Sequence, residues 1–136
     1  RCNARYLTSE ELYKEQNEIA QAAVIDVSFI SLSKIIPNII NLMTPELYII
    51  ALVKPQFEAG REKVKKGVVK NPEIHFEVLN NFNIFIESIN FNLYDLTYSP
   101  VKGPSGNIEF LAYVKREKPL IAPDIDKTVE NAHKYL

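Results

Sequence analysis

The fold is decided by one stretch of the chain, which reads Leu47-Tyr48-Ile49-Ile50-Ala51-Leu52-Val53-Lys54-Pro55. Its apolar run has the length of a β-strand, and an apolar run without polar interruptions is typical of a strand buried on both faces of a parallel sheet. A shorter stretch, Ala22-Ala23-Val24-Ile25-Asp26, shows the same pattern. The sequence therefore predicts parallel strands at 22–26 and 47–53, ending at Asp26 and Lys54.

The segments around these strands carry helix signals. Thr8 followed by Glu11 has the spacing of a capping box. An apolar stripe between residues 32 and 43 predicts a second helix, with Ser33 as its cap and Pro37 in its first turn.

The second half of the chain predicts one long helix and two further strands. Asn71-Pro72 is a typical helix start, and apolar residues at helical spacing continue to Ile89. Strands are predicted at 93–98 and 108–114, and they should pair antiparallel because no helix separates them. Strands that alternate with helices indicate an open α/β sheet, in which ligands bind beyond the carboxyl ends of the strands.

Composition narrows the class of protein. The chain has 136 residues, is 46% hydrophobic and has a net charge of -1, which fits one globular domain and argues against disorder. The lone cysteine, Cys2, excludes an intramolecular disulfide and, with only two histidines, a Cys/His metal cluster. We expect a cytoplasmic protein without a membrane span. Because the chain opens at Arg1 in mid-pattern, we expect it to be part of a longer protein.

Three charged residues stand at strand boundaries: Asp26, Lys54 and Glu109. An antiparallel strand starts at the edge where its parallel neighbours end, so the three side chains are expected to converge on one rim. A lysine between two carboxylates can orient a hydroxyl and help to deprotonate it. Solvated charges are equally typical of strand ends, and spacing alone does not separate these two interpretations.

Three segments of the sequence resemble one family. They begin Asp26-Val27-Ser28-Phe29-Ile30-Ser31-Leu32, Leu52-Val53-Lys54-Pro55-Gln56-Phe57-Glu58 and Gly103-Pro104-Ser105-Gly106-Asn107-Ile108-Glu109. They are similar to motifs of the TlyA, or hemolysin A-like, family, whose methyltransferase domain is of the FtsJ (RrmJ-like) type. The segment from Asn3 to Thr8 also resembles the region that follows the family's third strand.

The resemblance implies S-adenosylmethionine-dependent 2′-O-ribose methylation of ribosomal RNA. In the family's Lys-Asp-Lys-Glu tetrad, Asp26, Lys54 and Glu109 would be the aspartate, the second lysine and the glutamate. Asn3 and Asp26 would bind the cofactor. The implied fold is a partial Rossmann-like methyltransferase sheet, strands four to seven, whose last strand runs antiparallel between 47–53 and 93–98.

Several family elements are missing from this sequence. The tetrad's first lysine, the glycine-rich cofactor turn and the S4 RNA-binding domain have no counterpart in it. Residues 1–118 therefore correspond to the C-terminal half of an FtsJ-like domain, and 119–136 form a tail predicted to contain a helix. A non-catalytic remnant or an RNA-binding or structural module is the alternative. A membrane-lytic hemolysin is disfavoured, because the sequence has no long apolar or strongly basic amphipathic helix.

Two surfaces are predicted to meet partners. A basic segment next to the predicted rim could contact phosphates of ribosomal RNA or of a ribosomal subunit. The same charges would also suit a solvated loop. The edge of strand 22–26 would lack a neighbour, which predicts a homo-oligomer or another segment covering it. The candidate RNA-binding residues are Arg61, Lys63, Lys65, Lys66 and Lys102.

Overall fold

The computed structural model describes residues 3–15 and 17–136, so Cys2 lies outside the described residues. This part of the chain contains one four-stranded sheet: β1 (Ala22–Ile25), β2 (Tyr48–Val53), β3 (Asn92–Tyr98) and β4 (Phe110–Lys115). Its α-helices are α1 (Ser9–Tyr13), α2 (Ile36–Asn41), α3 (Pro55–Glu58), α4 (Pro72–Ser88) and α5 (Ile125–Tyr135). Short 3-10 turns occur at Leu32–Lys34, Arg61–Lys63 and Pro104–Gly106.

The strand order is β1-β2-β4-β3, which confirms the predicted topology. β1 and β2 are parallel, whereas β4 is antiparallel to both β2 and β3. The carboxyl ends of β1 and β2 and the start of β4 therefore lie at one edge of the sheet. This arrangement brings the three predicted boundary charges to the same side of the molecule.

The prediction that β1 and β2 are buried on both faces is wrong. Burial alternates along β2, where Ile49, Ala51 and Val53 are fully buried and the residues between them are not. In β1 only Ile25 is buried, and Val24 is 82% exposed. The physical reason is that β1 is the edge strand of a sheet with one well-covered face, and apolar residues on its other face remain open to solvent.

Helix α4 and the tail helix α5 cover the buried face together. α4 contributes Val78, Leu79, Phe82 and Ile86 to the core, each at most 6% exposed. Val129 and Ala132 of α5 belong to the same core cluster. Full burial of such an aliphatic side chain stabilises the fold by about 1.5–3 kcal/mol. The tail thus packs on the core, and the division at residue 118 stays a prediction.

Two predicted helix caps are confirmed and one is wrong. The Thr8 side chain accepts from the Glu11 amide in a capping box, and the Asn71 side chain accepts from the Glu73 amide at the start of α4. The cap predicted at Ser33 lies instead at Ser31, which caps the 3-10 turn that precedes the second helix. The hydroxyl of Ser31 accepts from the backbone of Ser33 and is itself held by a distant carboxylate, which fixes the start of this segment.

Candidate active site

Asp26 and Lys54 directly follow the parallel strands β1 and β2 and form an ion pair. Lys54 Nζ lies 2.5 Å from Asp26 Oδ1 and donates a hydrogen bond to Ser28 Oγ at 3.4 Å. The Lys54 side chain is 11% exposed, whereas that of Asp26 is 64% exposed. An accessible carboxylate thus fixes the position of a largely buried ammonium group through a charge-assisted contact.

Glu109 lies next to Lys54 on the adjacent, antiparallel segment of the chain. The register pairs Val53 of β2 with Phe110 of β4, so one further step along each chain sets Lys54 opposite Glu109. Glu109 is 5% exposed and precedes β4, whereas the sequence predicts it inside that strand. Its Oε1 accepts a hydrogen bond from Nε2 of Gln56 at 2.8 Å.

A glycine leaves the space that the Glu109 carboxylate occupies. A methyl group on Gly103 would overlap Oε1 of Glu109. The Gly103 backbone and the Gln56 amide therefore both lie close to Oε1 of the buried carboxylate. The φ of Gly103 is -71°, which any residue can adopt, so backbone conformation does not require a glycine here. The close approach of the Glu109 carboxylate does.

The structure joins two of the three predicted catalytic residues by direct contact. Asp26 and Lys54 touch, whereas Glu109 has Gln56 as its hydrogen-bond partner. In residues 3–15 and 17–136 no ion pair within 4.0 Å links Lys54 to Glu109. The joint action of all three on one hydroxyl stays a prediction.

Glu58 fastens the loop that follows Asp26. Its Oε2 accepts from the Ser31 hydroxyl at 2.7 Å, and its Oε1 accepts from the Leu32 amide at 2.8 Å. Burial raises the pKa of the Glu58 carboxyl above its usual value, and the two hydrogen bonds partly oppose that shift. Through Glu58, α3 positions the loop from Asp26 to Leu32 relative to Lys54, the residue that precedes α3.

The basic loop, residues 61–70, contains a tight hairpin. Lys65 and Val68 exchange two backbone hydrogen bonds, and the residues between them, Lys66 and Gly67, have φ values of 52° and 79°. Positive φ at both central positions is the geometry of a type I′ turn. Lys66 therefore stands at the tip in a conformation that lysine rarely adopts.

The remaining predicted RNA-binding residues differ in their surroundings. Lys63 pairs with Glu77 of α4, so part of its charge is already balanced. Arg61 and Lys102 are exposed. The loop presents a concave basic surface, because four of its lysines and Ser105 line one open cavity of about 570 Å³. The four are Lys63, Lys65, Lys66 and Lys70.

Two buried side chains hold the basic loop from opposite sides of Val69. Oδ1 of Asn107 accepts from the Val69 amide at 3.1 Å, and Nδ2 of Asn107 donates to the carbonyls of Gly67 and Pro104. The carbonyl of Val69 accepts from Nε2 of His75 at 3.1 Å. Asn107 is 2% exposed and His75 is 0% exposed, so the loop is anchored inside the protein.

His75 is linked in turn to the tail helix. Its Nδ1 lies 2.9 Å from Nε2 of His133, and because Nε2 of His75 donates to Val69, Nδ1 accepts from His133. Burial, together with the charge of His133, lowers the pKa of His75 to about 4. Burial and the positive charge of Lys102 also lower the pKa of His133. The sequence alone indicated no role for either histidine.

An aromatic cavity opens beside the ion pair. Phe29 and Phe57 have ring centroids 4.9 Å apart and line, with Gln56 and Arg61, a cavity of about 490 Å³. Phe29 is 90% exposed and has a φ of 62°. An exposed aromatic ring on a strained backbone indicates a functional surface, because both features cost stability.

Asn3 lies in an exposed turn near the start of the described chain. Its Oδ1 accepts from the Arg5 amide at 3.1 Å. The amide of Asn38 in α2 donates to the carbonyls of Ala4 and Leu7, so this segment is fastened to the helix. The structure gives no contact between Asn3 and Asp26 among the described residues, and their common role in cofactor binding stays a prediction.

Two features are absent from the described part of the chain. Residues 3–15 and 17–136 contain no group of three His, Cys, Asp or Glu side chains that could hold a metal ion. No helix in the same part of the chain is long and apolar enough to cross a membrane.

Sequence reasoning missed several residues that build this site: Phe29, Gln56, Glu58, His75 and Asn107. All except His75 lie within the three segments that resemble family motifs, and this position is the sequence signal that could have identified them. His75 had none, because a histidine on the core-facing stripe of a helix is ordinarily a packing residue.

Known proteins are similar to this chain in sequence and in fold. The family profile of FtsJ-like methyltransferases matches residues 1–116. YqxC of Bacillus subtilis (strain 168), which carries the name of an rRNA methyltransferase, is 42% identical over 143 residues, covering 100% of this chain and 50% of its own length. The 16S/23S rRNA (cytidine-2′-O)-methyltransferase TlyA of Mycobacterium tuberculosis is 30% identical over 135 residues, covering 97% of this chain and 49% of its own length.

A solved structure from Lactococcus lactis, described as a hemolysin, has a TM-score of 0.86 and 31% identity, covering 96% of this chain and 62% of that one. The chain spans about half the length of the two curated relatives, 50% and 49%. The profile match covers far more than half of this chain and includes every residue of the candidate catalytic rim. The chain therefore belongs to the FtsJ-like methyltransferase family.

Proposed function

We propose that this chain carries the acceptor-side active site of an enzyme that methylates ribose 2′-hydroxyls of ribosomal RNA. The observation that carries the proposal is the Lys54–Asp26 ion pair at the carboxyl ends of two parallel strands, with buried Glu109 directly before the neighbouring strand. The family match and the name of the TlyA relative support the same chemistry.

Lys54 would act on the acceptor hydroxyl. Asp26 holds its side chain in place, so the lysine nitrogen can orient the ribose oxygen and, in its neutral form, accept the hydroxyl proton as the oxygen attacks the methyl group. Glu109, opposite Lys54, supplies a second negative charge that balances the lysine. Most of the rate enhancement would come from holding the hydroxyl in line with the methyl donor.

S-adenosylmethionine is the proposed cofactor, and it would supply an electrophilic methyl group on a sulfonium. The residues present fit one side of such a ligand. Asp26 offers an exposed carboxylate that suits the ligand's positive charge, and Asn3 offers an exposed amide. The described residues contain no glycine-rich turn of the kind that binds this cofactor in the family, since the glycines stand at 60, 67, 103 and 106.

The basic loop would hold the RNA backbone. Its charges would bind phosphates without reading sequence. The anchoring of Val69 by Asn107 and His75 supports this role, because a loop that is already ordered loses little conformational entropy on binding. Lys70 lines the same cavity as three of the proposed contacts, Lys63, Lys65 and Lys66. The other two proposed contacts, Arg61 and Lys102, are exposed outside that cavity.

The aromatic cavity would receive the target base. RNA bases that are withdrawn from a helix stack on aromatic side chains and arginine. Phe29, Phe57 and Arg61 provide these groups within the segments that follow Asp26 and Lys54. A base held here would lie beside the lysine that acts on its ribose.

The wider setting is part of the same proposal. The partner would be ribosomal RNA or a ribosomal subunit in the cytoplasm. Edge strand β1 exposes 82% of Val24, which supports association with a second chain through that edge. Light scattering over a range of concentrations tests this point, and a mass that stays at one chain throughout would contradict it.

The function is tested with the complete gene product that carries this sequence. Ribosomal RNA is incubated with the protein and isotopically labelled S-adenosylmethionine, and the labelled nucleoside is identified by mass spectrometry. A labelled 2′-O-methylribose supports the proposal. Label on a base contradicts it, as would transfer at the level of a blank without protein.

Calorimetric titration with S-adenosylmethionine separates the enzyme from a non-catalytic remnant. An enzyme binds the cofactor and transfers its methyl group. A protein that shows no binding heat at high cofactor concentration, but still binds RNA, would be an RNA-binding or structural module instead.

A further inference from the structure

Gln56 is the residue that touches the buried carboxylate of Glu109. Its Nε2 donates to Oε1 at 2.8 Å, and this is the hydrogen bond that the described residues give to the Glu109 side chain. Gln56 stands two positions after Lys54, in the first turn of α3. It therefore connects the lysine's own segment to the carboxylate on the opposite strand.

The other end of the same amide is left without a partner. Oε1 of Gln56 is buried and accepts no hydrogen bond among the described residues. An unsatisfied buried acceptor lowers stability. A glutamine that only filled space would be replaced at lower cost by leucine or methionine, so the contact with Glu109 is the reason to keep an amide here.

The geometry points to Gln56 as a positioning residue for the reaction proposed above, on which this inference rests. Its neutral donor holds Oε1 of Glu109, and the Gly103 backbone lies close to the same oxygen and leaves it little room to move. A neutral donor stabilises the buried carboxylate without taking the place of Lys54 as its counter-ion. Oε2 of Glu109 is then left for the lysine or for the incoming hydroxyl.

Two substitutions test this role in opposite ways. Gln56→Leu removes the donor at every pH, so kcat should fall about tenfold to a hundredfold while KM for RNA and cofactor changes little. Gln56→Glu places two carboxyl groups at hydrogen-bond distance, where they share one proton. With that proton present, the introduced carboxyl group donates to Glu109 as the amide does.

The pH profile of Gln56→Glu is the decisive readout. Its activity relative to the unsubstituted protein should fall as pH rises, because the shared proton is then lost and two carboxylates face each other. Gln21→Glu is the matched control, because the same chemical change on an exposed residue outside the site should leave the profile unchanged. Melting temperatures of all variants show whether each one folds.

The outcomes separate this inference from the proposed function. If the unsubstituted protein methylates RNA and both Gln56 variants keep its kcat and its pH profile, the positioning role is wrong and the proposed function stands. A loss of melting temperature without a change in kcat also overturns it, because Gln56 would then be only structural. If the unsubstituted protein transfers no methyl group, the proposed function fails and this inference fails with it.

Discussion

At the scale of single residues, the position of the Glu109 side chain is central to the candidate site. A buried carboxylate needs a partner that compensates for lost hydration, and here that partner is the Gln56 amide, while the missing side chain of Gly103 leaves room for the carboxylate. Lys54 is fixed separately, by Asp26. The two halves of the site are thus positioned by different neighbours, and each can be disturbed without the other.

Gly103→Ala is expected to displace Glu109. The added methyl group overlaps Oε1, so the unfolding free energy should fall by about 1–3 kcal/mol and methyl transfer should slow. Denaturant unfolding and steady-state kinetics measure the two effects. Gly106→Ala is the matched control: its φ of 82° makes alanine destabilising, but nothing lies within 4 Å of the new methyl group, so kcat should remain. Equal kinetic losses in both variants would contradict the account.

The sequence predicts some of these residues and not others for a physical reason. Asp26 and Lys54 follow apolar runs, and the ends of parallel strands must meet at one edge of a sheet, so local pattern predicts where they lie. Their catalytic role is implied by the family resemblance and not by the pattern. Gln56, Glu58 and Asn107 act on backbone or side chains that are distant in sequence. Their roles depend on which segments become neighbours after folding, and no local pattern reports that.

At the scale of elements, the basic loop combines a strained tip with buried anchors. The type I′ turn at Lys66-Gly67 puts a lysine where asparagine or glycine is usual. The cost is local, and the loop remains ordered because Asn107 and His75 hold Val69. The exposed lysine at this tip is one of the charges proposed to contact RNA.

Lys66→Asn is therefore expected to separate stability from RNA binding. Asparagine tolerates positive φ, so the unfolding free energy should rise by a few tenths to about 1 kcal/mol. RNA affinity should fall, and the slope of log K against log salt should decrease by about 0.7, as expected for the loss of one phosphate contact on a single strand. Lys118→Asn, exposed and outside the loop, is the control. Unchanged RNA affinity in the loop variant would contradict the proposed contact.

The predicted elements also show where sequence patterns mislead. The order and direction of the strands are predicted correctly, whereas the inference from an apolar run to burial on both faces is wrong. β1 is an edge strand and leaves Val24 in solvent. The apolar residues of a strand show which side chains favour burial. Whether each face of the strand is buried depends on the elements that pack against it, which the sequence of the strand does not specify.

At the scale of the whole molecule, the two histidines connect the tail helix to the loops of the candidate active site. His133 in α5 donates to His75 in α4, and His75 donates to Val69 of the basic loop. Asn107 continues this link to the segment that carries Glu109. The tail helix therefore belongs to the framework that supports the site.

This link predicts that stability falls in mild acid. The pKa of His75 is lowered from 6.5 to about 4 in the folded protein, so between these values the unfolded chain binds more protons and acid favours unfolding. The contribution lost as pH falls from 6.5 towards 4 is about 3 kcal/mol. Unfolding free energy measured against pH gives the slope.

His75→Phe is the comparison, since phenylalanine keeps an aromatic ring against Phe110 but cannot titrate. Its baseline stability should be lower, because the Val69 carbonyl loses its donor. Its dependence on pH between 4 and 6.5 should be flatter than that of the unsubstituted chain. An equally steep dependence in both proteins would assign the acid sensitivity to other groups.

Lys54 is proposed to act on the ribose hydroxyl. Methyl transfer by the Lys54→Ala variant is the direct measurement of that role. In the complete gene product, transfer of labelled methyl groups to ribosomal RNA should be abolished, while calorimetric binding of S-adenosylmethionine is largely kept. Lys54→Arg should not restore it, because a guanidinium stays protonated and is shaped differently from an ammonium group. Lys118→Ala controls for the loss of a lysine. Near-normal turnover by Lys54→Ala would contradict the claim and leave Lys54 a structural partner of Asp26.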